Sequence, residues 1–448
     1  MIEALPTPFG LIRSGVAPDH QDVKSCQVDF TNVAESPRFS FHGNVTVGSE
    51  QDEQADISVA QLRQRYNAVV FCTGATSDRL LNIPGEELEG VHSARAVVNW
   101  YNSHPEYIQY PLDLSAPRSG TCVIVGQGNV AVDCARILSC DPSILAESDI
   151  ADYSIDALKK SGIKKVIVMG RRGHVQASFT MKELRELTKL KGATFVVQKE
   201  ELDASMTTAT EEEIKTLRVP KRMNKLLRKV AGRTMDEDKD ETELCLTFLK
   251  SPIEIVPHES NPAVVGGVRV AINALEGSVG QQQAQETGKY ETIPCDLVLR
   301  SVGYLGVPLD GVAFDDRKCI IANTRESAGR VVHASNGESV AGMFTAGWAK
   351  RGPTGIVGTN IPCAKETVAS ILKDAETGAL PSIEVEGGVM AGVEGEGERG
   401  GDTVVVEWEE YLNIDQYEVE QGAVKGKVRD KMLLREDMFK VAKAKGQH

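Results

Sequence analysis

A chain of 448 residues, 41% apolar and 25% charged, has the composition of a globular protein and is too long for one ordinary core, so two or three domains are expected. Its 64 acidic against 50 basic residues give a formal charge of −14, which argues against general nucleic-acid binding, and no apolar run approaches membrane-spanning length. The nine cysteines are scattered without a CxxC pair, and neither they nor the eight histidines cluster at metal-ligand spacing. Buried thiols in a reducing compartment and no zinc site are the expectation.

The opening IEALPTPFGLIRSGVAPDH is neither a signal peptide nor a basic presequence, and Pro6, Pro8, Gly10 and Pro18 make it a loop. A short helix is expected near 20–35, a strand at 39–47, a helix at 57–65 and a strong apolar strand at 67–72, ending in Thr73-Gly74-Ala75. From about 120 a strand, a glycine turn and a helix follow one another, and a second apolar strand runs through 166–169. Helical patterns return at 180–190, with alternating charges, and at 219–230, which is basic. Strands at 244–249, 267–275 and 296–301 read as antiparallel, with a polar turn at 277–289. Beyond Tyr304 an irregular stretch leads to a glycine-rich loop at 342–360, a helix at 362–374 and a Gly/Glu-rich stretch at 387–402 that reads as a mobile loop. There is no short internal repeat.

The most specific signal is TCVIVGQGNVA at 121–131 followed by VIVMGRR at 166–172. Together they describe a βαβ unit that holds a dinucleotide. Gly126 permits the tight turn after the strand, Gly128 lets the backbone approach a pyrophosphate, and Ala131 keeps the helix close to the sheet. The helix N-terminus offers free N–H groups and a positive dipole end to the phosphates. Where an NAD protein would carry an acidic residue, Arg171 and Arg172 end the second strand, and planar guanidinium groups suit the 2′-phosphate of NADP.

Five segments in order, PFGLIRSGVAPDH at 8–20, GQGNVAVDCARIL at 126–138, GRRG at 170–173, SFTMKELRE at 178–186 and GWAKRGPTGIVGTN at 347–360, resemble the adrenodoxin reductase family of NADPH–ferredoxin reductases. The resemblance runs from Glu3 to about Lys427. It implies an α/β fold of two doubly wound dinucleotide-binding domains, with an NADP domain at 84–306 inserted into a discontinuous FAD domain at 1–83 and 307–448. It also implies an NADPH:ferredoxin (adrenodoxin) oxidoreductase: a hydride passes from NADPH to FAD, and single electrons then pass to an acidic [2Fe-2S] ferredoxin. The place implied is the mitochondrial matrix or the matrix face of the inner membrane, with at most peripheral membrane association.

Residue by residue, the resemblance puts Glu3 on the FAD ribose and Leu11 and Val47 along the adenine and flavin side. Gly355, Ile356 and Val357 meet the flavin at a helix N-terminus, and Trp348 packs near its ring. Gln127, Gly128, Asn129, Val130, Arg171, Arg172, Glu183 and again Gly355 fall on the NADP side, with Gly126 at their turn. No nucleophile is required; His20, partnered by Asp133, is the candidate polar pair near the flavin. Lys221, Arg222, Lys225, Arg228 and Lys229 form the basic surface expected to dock the ferredoxin against an acidic background.

The family opens with a strand, a GxGxxG turn and a helix for the ADP half of FAD, whereas this sequence starts at the end of the next strand, so an N-terminally incomplete FAD domain is expected. Either the sequence is an incomplete version of a normal reductase, or it is a shortened, flavin-poor NADP-binding protein without redox activity that regulates or competes for the ferredoxin. A disulfide reductase is disfavoured because its reaction needs two neighbouring thiols.

Overall fold

The computed structural model describes residues 1–49, 51–52, 54–233, 241–355, 357–383, 388, 393 and 403–444. Its largest element is a six-stranded sheet in the order Ala193–Val197, Thr242–Thr247, Lys165–Met169, Thr121–Val125, Leu297–Arg300 and Val91–Ser93, with every neighbouring pair parallel. Thr121–Val125 is buried along its whole length, as a strand covered on both faces must be. The helix Asn129–Ser139 lies on it through Ala131, Val132, Ala135 and Leu138, and these join one core with Val166, Val168, Leu244 and Leu246.

Two sequence expectations are corrected here. The strands at 244–249 and 296–301 are parallel members of this sheet and not antiparallel. The antiparallel part is the excursion between them, Lys250–His258, Asn261–Glu276 and Gln283–Pro294. The polar turn expected at 277–289 ends at Gln283, because the residues beyond it form an almost wholly exposed edge strand and are polar for that reason.

The remaining strands fall into small sheets. Val69–Phe71 pairs parallel with Ser339–Thr345, which pairs antiparallel with Arg330–Val332. Ile2–Glu3 pairs parallel with His42–Gly43, and Val47–Gly48 with Ile57–Ser58. The strand expected at 39–47 is thus two short pieces, divided by Asn44 in the left-handed region at φ 60°. The helix expected at 20–35 is likewise two, Gln21–Lys24 and Gln27–Ala34. Val59–Arg65 starts at a reciprocal cap between Ser58 and Gln61. The helix expected at 362–374 spans Asn360–Glu376, and Trp408–Lys425 and Arg435–Lys443 follow. Apart from Gly388 and Val393, the stretch 387–402 lies outside the described residues. Among the described residues no helix is long and apolar enough to cross a membrane.

A buried ionic network ties the C-terminal segment to Arg13, Lys24 and Asp149. Lys431 donates to the Arg13 carbonyl at 2.9 Å and pairs with Asp149 at 3.1 Å, while Lys24 holds the same carboxylate at 2.7 Å. Arg13 clamps the fully buried Glu418 through two bonds of 2.5 and 2.9 Å. Each carboxylate answers two cations, so removing Asp149 or Glu418 would leave buried cations without a counter-charge, a loss of about 3–5 kcal/mol.

Burial sets how stability responds to acid. It pushes His92, His104 and His174 each down to about 4 from 6.5. Because the folded values are lowered, the unfolded chain takes up protons first as pH falls, and stability present above 6.5 is lost on the way to 4. Asp133, pushed up to about 7, and Glu3 and Glu201, also raised by burial, act in the opposite sense, while His42 is lowered and adds to the three. The urea midpoint should therefore fall on acidification across this window; a rising midpoint would contradict these assignments.

Candidate functional site

The glycine turn is built as its sequence requires. Gly126 sits at φ +126°, and a Cβ there would collide with the Ser301 carbonyl. Its N–H donates to the Met169 carbonyl at 2.9 Å, which anchors the turn to the neighbouring strand. Gly128 is the extended N-cap of the Asn129–Ser139 helix, has no side-chain cap, and would place a Cβ with nothing within 4 Å. There is thus open space where that side chain would stand at the start of this helix, an arrangement suited to an anion. Gln127 donates from its amide to the Thr247 carbonyl at 2.7 Å, and Asn129 accepts from the Thr180 N–H at 3.0 Å. Val130 is half-buried on the first turn. Thr180 caps the helix Met181–Leu187 and donates its hydroxyl to Glu183, so the carboxylate is oriented toward its own helix start.

Arg171 and Arg172 follow the Lys165–Met169 strand beside this turn. Arg171 is exposed, and among the described residues no ion pair engages either arginine. Their backbone, in contrast, is held: Asn273 donates to the Arg171 carbonyl at 2.8 Å and the Leu249 N–H to that of Arg172 at 3.1 Å. Arg172 also donates to the Gln176 carbonyl at 3.3 Å. The result is a fixed main chain carrying an unpaired cation next to an open helix N-terminus.

His20 and Asp133 are brought to 3.8 Å, but each has a nearer partner that sequence reasoning missed. His20 Nε2 lies 2.9 Å from Glu186, and Asp133 accepts from Arg136 at 2.7 Å. Arg136 also pairs with Asp19, so the Pro18–His20 loop and the Asn129–Ser139 helix share one charge cluster. Burial pushes the Asp133 carboxyl up to about 7, which allows it to hold or release a proton near neutrality. The signal available in the sequence was spacing: Asp133 and Arg136, like Glu183 and Glu186, stand three apart and share a helix face.

On the other side, Glu3 ends its strand half-buried and accepts from the Leu5 N–H at 3.2 Å; burial raises its carboxyl. Leu11, in Gly10–Ser14, and Val47 are half-buried. Trp348 packs edge-on to Tyr304 at 5.7 Å, and its buried indole Nε1 has no partner among the described residues, a donor that a ligand could satisfy. Gly347, Gly352 and Gly355 have φ of 67°, 79° and 81°, so the loop folds only with glycine there. Ile356 lies outside the described residues, and Val357 begins the short turn that enters the Asn360–Glu376 helix. Among the described residues no ladder joins Ile2–Glu3 to Val69–Phe71.

The helix Arg218–Val230 buries Met223, Leu227 and Val230 and exposes Lys221, Arg222, Lys225, Arg228 and Lys229. Arg228 is not free: it pairs with Asp203 at 2.8 Å and donates to Asn224 at 3.1 Å.

The chain is 41% identical over 449 residues to a protein of Arabidopsis thaliana named NADPH:adrenodoxin oxidoreductase, mitochondrial, covering 99% of this chain and 89% of that one. The human protein of the same name is 38% identical, with 98% and 86% covered. NADPH-ferredoxin reductase FprA of Mycobacterium tuberculosis is 43% identical over 375 residues, 84% of this chain and 76% of FprA. A solved FprA structure superposes with a TM-score of 0.86 at 38% identity, covering 99% of this chain and 92% of that one. No family model matches the chain. Likeness of this extent shows that the chain belongs to the adrenodoxin reductase family of NADPH–ferredoxin reductases.

Proposed function

We propose that this protein is an NADPH:ferredoxin oxidoreductase, with NADP held by residues 84–306 and FAD by residues 1–83 and 307–448. The observation that carries this reading is the open helix N-terminus at Gly128 beside Arg171, which has no ion pair among the described residues. Gly126 to Val130 receive the pyrophosphate, and Arg171 and Arg172 the 2′-phosphate, while Glu183 sits on the NADP side. The glycine loop before Val357, with Gly355 and the unpaired Trp348 indole, faces the flavin; Glu3, Leu11 and Val47 lie along the rest of FAD. Bound FAD supplies the step that side chains cannot, taking up two electrons from NADPH and releasing them singly. The cluster of His20, Asp133 and Glu186 holds a proton between the two parts. The plant and vertebrate relatives are named mitochondrial, and the proposed place is the matrix.

The acceptor is an acidic [2Fe-2S] ferredoxin docking on the Arg218–Val230 helix. Reversing Arg222 and Lys225 to Glu should slow electron delivery to such a ferredoxin, most strongly at low salt, since screening already weakens the attraction at high salt. Both are exposed and lack an ion pair among the described residues, whereas Arg228 also supports its neighbours. NADPH reduction of a small uncharged dye by the flavin-loaded protein should be unchanged. Equal loss with both acceptors would mean that these charges support the fold.

A further inference from the structure

His174 follows Arg171, Arg172 and Gly173, yet unlike the exposed Arg171 it is completely buried, at 0% exposure. Its Nε2 lies 3.0 Å from Asn224 Oδ1 and its Nδ1 2.8 Å from Ser205 Oγ. Arg228 Nε donates to that same Asn224 oxygen at 3.1 Å, so the oxygen is an acceptor and His174 Nε2 must carry the proton. Nδ1 is then left to accept from the Ser205 hydroxyl, whose single proton it shares with the Leu202 carbonyl 2.9 Å from the same oxygen. The imidazole is thereby pinned at both ends, to the C-cap of the helix Lys199–Ala204 and to the basic helix Arg218–Val230. Phe248 packs edge-on against it at 5.9 Å. Gly173 seals the contact, since a Cβ there would lie 2.8 Å from that of Ser205.

The arrangement matters because the Arg171 guanidinium is exposed and pairs with no group among the described residues. Its direction is set by the main chain, and the main chain is set by Asn273, Leu249 and the His174 anchor. We propose that His174 is a positioning residue for coenzyme selection: it holds the loop that aims Arg171 and Arg172 at the 2′-phosphate and joins that loop rigidly to the basic helix. This rests on the reading of the two arginines as the 2′-phosphate site.

A purely structural histidine would, on removal, weaken NADP+ and NAD+ alike. A positioning one weakens only the coenzyme that carries the extra phosphate. Calorimetric titration of the full chain with NADP+ and with NAD+ separates the two cases. His174→Phe keeps a buried ring and removes both hydrogen bonds; the NADP+/NAD+ affinity ratio should fall about tenfold, with NAD+ binding nearly unchanged. Ser205→Ala removes one bond, is the milder variant should the first fail to fold, and should lower the ratio severalfold. An unchanged ratio in either folded variant, or parallel loss of both coenzymes, overturns the proposal. The Arg171→Ala/Arg172→Ala protein, titrated alongside, tests the underlying reading. If its ratio is also unchanged, the arginines do not read the phosphate; if its ratio collapses while His174→Phe keeps the original one, only the role of His174 falls.

Discussion

Replacing Arg171 and Arg172 together by alanine is expected to remove most of the preference for NADPH over NADH. Removing the groups that answer a charged phosphate costs about 2–5 kcal/mol, and the lower end applies because Arg171 is exposed to screening solvent. Even that end is roughly thirtyfold in affinity. NADH binding should hardly change, since the pyrophosphate contacts come from the turn at Gly126 to Val130. The fold should also survive, because the Arg171 and Arg172 carbonyls, and not their charges, are what Asn273 and Leu249 bind. Titration of the double variant with both coenzymes checks this, and equal use of the two by the unaltered protein would defeat it.

The second large effect is at Gly128. A Cβ there meets nothing within 4 Å, so Gly128→Val should leave the protein folded. The branched side chain nevertheless stands in front of the helix N–H groups, where the pyrophosphate passes, and binding of both coenzymes should be abolished. Gly126→Ala is the contrasting variant. Its side chain would collide with the Ser301 carbonyl, and its φ of +126° disfavours any L-residue, so it should lower stability as well as binding. Full NADP+ affinity in a folded Gly128→Val protein would mean that the turn is only structural. Retained stability in Gly126→Ala would mean that this loop can rearrange.

What could be read from the sequence was what is local. The strand and helix around Gly126, Gly128 and Ala131 are contiguous, and the expected turn and the observed one coincide. The basic helix at 219–230 shows as a run of charges with apolar residues at Met223, Leu227 and Val230. Strand direction is not local. Thr242–Thr247 and Leu297–Arg300 were misread because a three-stranded antiparallel excursion lies between two parallel strands, and their apolar runs are alike in either orientation. Partners distant in the chain were equally hidden. His20 meets Glu186 across 166 residues, and His174 meets Ser205 and Asn224 across 31 and 50. Nothing in the spacing of those residues distinguishes a pinned buried histidine from a surface one.

The most direct test of the central claim is a spectral titration of the purified chain, supplemented with FAD and kept free of oxygen. The protein is expected to retain a flavin absorption after gel filtration, to lose it on addition of NADPH but far less readily with NADH, and to regain it when an oxidised acidic ferredoxin is added. A colourless protein that binds NADP+ but retains no flavin, or a bound flavin that NADPH does not bleach, would contradict the assignment of an NADPH–ferredoxin reductase.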